Sequence, residues 1–158
     1  MAGSTTKKAI IRRFQREAFA GYINPLTYLQ PTGVEVLSAE GNIAIIPYAE
    51  IKTVAFVRDF DAGAGGRLVF LTRPKMEGLW VRFRLRDGEV MEGVMPNNLL
   101  QLEHYGFSAI PPDPYSNQQR VFIPRAALES VEVLGVVGSP LKRKPKRAAE
   151  GQIGLFDE

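Results

Sequence analysis

The chain of 158 residues contains no cysteine and a single histidine, His104. Without Cys there is no disulfide framework, thiol nucleophile, iron–sulfur cluster or Cys-based zinc site. One His also excludes a His-rich metal site and a His–His acid/base pair. No apolar run approaches membrane-spanning length, and the start, MAGSTTKKAIIRR, lacks the apolar stretch of a signal peptide. A cytoplasmic location is therefore expected. No Gly-rich loop precedes a helix and no paired-carboxylate spacing occurs, so no catalytic constellation emerges and a non-enzymatic role is expected, with no metal and no cofactor.

What the chain does contain is the composition of a folded domain, 45 % hydrophobic and 23 % charged residues, with 15 Gly and 11 Pro spread along it. Its net charge of +3 is uneven. Residues 139–158 hold Lys142, Arg143, Lys144, Lys146 and Arg147 against Glu150, Asp157 and Glu158, leaving 15 basic and 14 acidic residues in the body. Most of the basic excess thus describes a tail.

Apolar and polar residues alternate with period two, as in Val34-Glu35-Val36-Leu37, Arg82-Phe83-Arg84-Leu85 and Val131-Glu132-Val133-Leu134. Gly and Pro interrupt any helical spacing, so the chain reads as all-β. It also reads as a repeat. Ile46-Pro47-Tyr48-Ala49-Glu50-Ile51-Lys52-Thr53-Val54-Ala55-Phe56 has a counterpart in Ile123-Pro124-Arg125-Ala126-Ala127-Leu128-Glu129-Ser130-Val131-Glu132-Val133. Upstream, Ala20-Gly21-Tyr22-Ile23 matches Glu92-Gly93-Val94-Met95.

Each unit reads as five short strands, near 8–15, 19–24, 33–38, 42–46 and 53–58 in the first. In the second they are expected at about 79–86, 89–95, 105–110, 120–123 and 130–136. A 3₁₀ turn is expected before each fifth strand. Asp87-Gly88 suits a two-residue type I′ turn, which would set Arg86 opposite Glu89, and Gly93 permits a bend or close backbone approach. Between the units, 59–78, an acidic Gly-rich loop precedes Arg67-Leu68-Val69-Phe70-Leu71, apolar enough for an extra strand that would join the units edge to edge.

Five strands, a bent second strand and a 3₁₀ turn before the fifth are the plan of a small SH3-like or Sm-like barrel. Arg86-Asp87-Gly88-Glu89-Val90-Met91-Glu92-Gly93 resembles the first hairpin of Sm-like proteins. The resemblance covers about 15 residues per unit; with the internal repeat it leads to the expectation of two tandem five-stranded barrels, 8–58 and 79–136, joined by 59–78, while the prolines and like charges beyond Gly138 make 139–158 a disordered basic tail. An Sm-like nucleic-acid (RNA)-binding module is the alternative function, but the Asn-bearing RNA-contact signature is not cleanly present, Pro96-Asn97-Asn98 being only suggestive, so RNA binding does not carry over from the resemblance.

The tail carries the sharpest motif. Gln152-Ile153-Gly154-Leu155-Phe156 closes a basic, Pro-containing linker, and an apolar pair there has no nearby core to join. The pentapeptide resembles the short motif by which bacterial DNA polymerases and repair proteins bind the β sliding clamp. That resemblance implies that Gln152 hydrogen-bonds at the pocket rim, Leu155 and Phe156 fill an apolar pocket, and Ile153 packs in a shallower one. The bland alternative is a tail whose Leu155 and Phe156 fold back onto a barrel.

Three further features have two readings each. The run Lys142, Arg143, Lys144, Lys146 and Arg147 is a solvated spacer or a non-specific grip on nucleic-acid phosphates. Arg82, Arg84 and Arg86 project from one face of a strand, as a solvated surface or a nucleic-acid contact. Arg12-x-x-x-Arg16 with Ser38-Ala39-Glu40-Gly41 resembles the PilZ motifs that bind cyclic di-GMP, although Val36 stands where that family has an acidic residue or Asn. His104 and Trp80 read as packing residues, and the Pro-rich 111–119 loop with Tyr115 as a rigid connection.

Overall fold

The computed structural model describes residues 6–63, 66–113 and 117–138. The fold is all-β, with a long curled sheet and a shorter one, and no α-helix among the described residues. No helix there is long and apolar enough to cross a membrane.

In the first half, β1 (Lys7–Arg13), β2 (Phe19–Ile23), the two-residue β3 (Leu29–Gln30), β4 (Gly33–Leu37) and β5 (Ile43–Ile46) precede a 3₁₀ turn over Tyr48–Glu50 and β6 (Ile51–Val57). The second half runs β7 (Gly78–Leu85), β8 (Val90–Met95), β9 (Gly106–Ala109), β10 (Gln118–Pro124), a 3₁₀ turn over Arg125–Ala127 and β11 (Leu128–Val137). A further 3₁₀ turn, Leu99–Gln101, is capped by the Asn98 side chain, which accepts from the Leu100 amide at 3.0 Å.

Pairing repeats between the halves, antiparallel throughout. The first follows β6–β1–β2–β4–β5. The second follows β11–β7–β8–β9–β10, its β8–β9 step made by the Val94–Ile110 bridge. Details repeat too. Register slips at the start of both last strands, between Thr53 and Ile51 on β6 and between Ser130 and Leu128 on β11. The Phe14 amide donates to the Glu50 carbonyl at 3.1 Å and the Arg86 amide to the Ala127 carbonyl at 2.8 Å, tying each first hairpin to the 3₁₀ turn before the last strand.

Gly93 lets β8 cross close to β9. A Cβ there would lie 2.7 Å from the Ala109 Cβ, and one at Gly21 would lie 2.7 Å from the Leu37 carbonyl oxygen. Gly93→Ala should therefore push β8 off β9 and cost about 1–3 kcal/mol, the usual range for overpacking a tight core. Urea denaturation checks this, and an unchanged midpoint would contradict it.

The halves meet through strands. β6 pairs with β1 on one side and with β10 of the other half on the other, in register Phe122–Val54 and Val121–Ala55. Phe122 is fully buried in the first half's core with Ile11, Val34, Val54 and Phe56, its ring edge-on to Tyr28 at 5.9 Å. A second core holds Val81, Phe83, Leu85, Met91, Val121 and Ile123, with Phe14 of the first half packed against it.

Two expectations are corrected. Residues 67–71 form no strand and do not join the halves. Their one backbone bond to the sheet runs from the Glu92 amide to the Leu68 carbonyl, 2.8 Å, and the Glu92 carboxylate takes the place of a ladder by accepting from the Phe70 amide at 3.1 Å. The hairpin after β7 is also not a two-residue type I′ turn. Only Gly88 has a positive φ, 96°, and pairing ends at Arg84–Val90, with the Leu85 amide donating to the Glu89 carbonyl at 2.8 Å. Arg86-Asp87-Gly88 is thus a three-residue loop with glycine in the left-handed position, and Arg86 does not face Glu89.

Candidate functional site

The arginines on β7 can be placed from the register. Arg82 pairs across to Glu92 on β8 and to Glu132 on β11. Its guanidinium lies 3.5 Å from a carboxylate oxygen of each. Glu92 is buried, and its other oxygen accepts from Trp80 Nε1 at 3.1 Å. A buried carboxylate needs such donors to offset desolvation. Arg82, Trp80 and the 67–71 strap therefore share one acid, and the strap is anchored by it. Trp80 is half-buried, its ring edge-on to Phe70.

Arg84, opposite Val90 and Ser130, is exposed. Arg86 turns back to the junction: Nη1 donates to the Ala126 carbonyl at 2.7 Å, Nη2 to the Ala49 carbonyl at 2.8 Å, and the guanidinium lies 3.8 Å from the Phe14 ring centroid. This cation–π contact ties the two 3₁₀ turns to the first hairpin. Among the described residues, no carboxylate or carbonyl is bonded to the exposed Arg84, unlike Arg82 and Arg86.

Beside Arg86 lies a charge network of four side chains, Arg12, Lys52, Asp87 and Glu89. Glu89 Oε1 sits 3.0 Å from the Arg12 guanidinium and 2.9 Å from Lys52 Nζ, and Lys52 Nζ is 2.7 Å from Asp87 Oδ2. Arg12 and Lys52 belong to the first half and the two acids to the hairpin of the second, so the cluster clasps the halves. Burial alone would lower the Lys52 pKa, but hydrogen bonds to Asp87 and Glu89 outweigh it and raise the ammonium above its ordinary range. The same bond, with the Glu89 amide, holds the Asp87 carboxyl below its ordinary value. A depressed carboxyl adds stability that is present above its unfolded pKa and lost as pH falls through the folded one; a raised lysine adds stability that is lost as pH rises through its folded value. The stability difference between the wild type and Asp87→Asn should be constant near neutrality and vanish on acidification below pH 3.8, the ordinary Asp value. Denaturation midpoints across pH test this, and a difference that grew in acid would contradict it. Asp87 is more than a third exposed, so the effect is small.

A cleft of about 560 Å³ adjoins this clasp, lined by Ile10, Arg12, Ala20, Leu68 and Glu89 among others. Its one charged pair is already mutually satisfied. The PilZ-like positions do not form a free basic pair: Arg12 faces Glu89, and Arg16 Nη1 lies 3.8 Å from Glu50. Val36 is buried in the first core. Among the described residues no group of three or more His, Asp and Glu is arranged to hold a metal ion.

In the first 3₁₀ turn, Tyr48 stacks on Tyr105 of the second half at 4.9 Å, and its hydroxyl donates to the Gln30 carbonyl at 2.6 Å. Desolvation, then the proximity of Tyr105 and Glu103, pushes the Tyr48 pKa up to about 12. His104 is exposed rather than packed in the core, its ring edge-on to Tyr105. These rings form another seam between the halves.

The pentapeptide residues Gln152, Ile153, Leu155 and Phe156 and the basic residues Lys142, Arg143, Lys144, Lys146 and Arg147 lie outside the described residues, as does Tyr115.

Residues 5–135 match the model of DUF6982, a family of unknown function. The chain belongs to that family. No curated protein and no solved structure matches it. The DUF6982 match runs from two residues before β1 into β11, spanning both halves and the clasp between them, and it ends before the basic tail.

Neither Glu92 as the anchor of the strap nor Arg86 as a junction residue was among the residues expected to matter. The signal for Glu92 was present: on β8 it is a lone acid beside Gly93, and the β7–β8 register sets it opposite Arg82.

Proposed function

We propose that this DUF6982 protein is a non-enzymatic cytoplasmic adaptor. Two tandem SH3/Sm-like small β-barrels, 8–58 and 79–136, act as a scaffold, and the tail 139–158 docks it on the bacterial β sliding clamp in DNA replication or repair. The observation that carries this reading is Gln152-Ile153-Gly154-Leu155-Phe156, an apolar anchor pair at the end of a basic, Pro-containing spacer. The repeated pairing path and the shared bulge support the tandem-barrel part.

Residues 139–151 give the peptide reach, and Lys142, Arg143, Lys144, Lys146 and Arg147 add attraction to the DNA that a clamp encircles. Burying Leu155 and Phe156 is worth about 1.5–3 kcal/mol each, which after the cost of ordering the peptide suits micromolar, exchangeable binding. The intact chain should therefore be retained on immobilised clamp, and a chain lacking its last seven residues should not. Equal retention of the two would sink the proposal.

An Sm-like nucleic-acid module is the second reading. The partners of Arg82 and Arg86 weigh against β7 as its contact surface. Salt-dependent RNA or DNA binding by residues 1–138 would favour it.

A further inference from the structure

Among the described residues, three strands have one paired side each: the two-residue β3, which pairs with β4, and the longer edges β5 and β11. β6, the last strand of the first half, is covered by β10, the fourth of the second. The second half's last strand, β11, pairs only with β7, and the first half's fourth strand, β5, only with β4. Of the longer edges, one is thus a last strand and the other a fourth strand, the two kinds that join inside the chain.

Their side chains carry the same imprint. Val133 on β11 is the counterpart of Phe56 on β6, since each pairs with the equivalent residue of its first strand, Val81 or Ala9. Phe56 is 5 % exposed and Val133 is 59 % exposed. Ile45 on β5 is the counterpart of Phe122 on β10, opposite Glu35 and Ser108 respectively. Phe122 is 0 % exposed and Ile45 is 47 % exposed. Val131 and Ile43 are exposed as well. β5, Ile43-Ala44-Ile45-Ile46, carries no charge or proline to block pairing.

We propose that β5 of one molecule pairs antiparallel with β11 of a second copy, repeating the β6–β10 junction between chains. Transferring the register Phe122–Val54, Val121–Ala55 and Arg120–Phe56 sets Ile45 opposite Val131, Ala44 opposite Glu132 and Ile43 opposite Val133. Both apolar pairs then lie on one face, and Ile43 packs on Val133 as the Arg120 guanidinium packs over the Phe56 ring at 5.0 Å. The contact is head-to-tail: each molecule offers one edge of each kind, so assembly proceeds to a closed ring or an open chain. This does not depend on clamp docking.

The full chain should sediment as an assembly larger than a dimer at high micromolar concentration. Ile43→Lys and Val133→Lys should each be monomeric, and their equimolar mixture should give a dimer and nothing larger, because one intact edge of each kind remains. A wild-type monomer would overturn the proposal, as would either variant assembling alone. Should a lysine variant fail to fold, the absence of native Cys allows a second test. A short bis-maleimide should link Ile45→Cys to Val131→Cys when the two are mixed and neither to itself; self-linking, or no linking of the mixture, would equally overturn it.

Discussion

Phe122→Ala should destabilise the whole protein by about 3–5 kcal/mol, the range for removing a buried aromatic ring from a core. Phe122 belongs to the second half by sequence and to the first half's core by position, with no exposed surface. It stands opposite Val54, and Tyr28 closes over its ring. No small movement refills that space, because β10 is fixed by β9 on one side and β6 on the other. Since a typical domain is stable by only about 5–15 kcal/mol, the variant retains a fraction of its margin. The loss should appear in one transition for both halves, because the strand that carries Phe122 is common to both. Urea unfolding followed by Trp80 fluorescence in the second half and by far-UV circular dichroism checks this. Two separated transitions with the second half unaffected would show that the junction is not cooperative.

Much of the fold was legible because its signals are local. Period-two alternation placed the strands of both halves to within a few residues. The apolar-Pro-x-Ala pattern at Ile46-Pro47-Tyr48-Ala49 and Ile123-Pro124-Arg125-Ala126 located both 3₁₀ turns. Gly93 was readable as a bend or a close approach, and the structure shows the close approach, a Cβ there lying 2.7 Å from the Ala109 Cβ.

What was not legible depends on partners distant in sequence. Arg67-Leu68-Val69-Phe70-Leu71 has the composition of a strand, but Glu92 takes up the Phe70 amide that a neighbouring strand would otherwise pair. The Arg82-x-Arg84-x-Arg86 stripe reads as a basic surface until the register brings Glu92 and Glu132 beside Arg82 and the loop geometry sends Arg86 to the carbonyls of Ala49 and Ala126. Asp87-Gly88 suggested a turn correctly but not its type, because Asp87 keeps a negative φ while its carboxylate binds Lys52. The joining of β6 to β10 has no local pattern at all: it is a contact between strands some sixty residues apart.

The adaptor reading rests on side chains of the tail, and its expected effect on binding is the largest of all. A few residues usually carry most of the energy of a small interface, and in Gln152-Ile153-Gly154-Leu155-Phe156 the two largest apolar groups are Leu155 and Phe156. Truncating both removes about 3–6 kcal/mol of apolar burial, which takes a micromolar complex beyond the reach of titration. The residues follow the last strand by some twenty positions, so the double variant should keep the wild-type melting temperature. The direct test is calorimetric titration of purified β sliding clamp with the full chain and with its Leu155→Ala/Phe156→Ala form. Saturable micromolar binding by the first and none by the second, at equal thermal stability, is the expected result; binding by both, or by neither, would contradict the account.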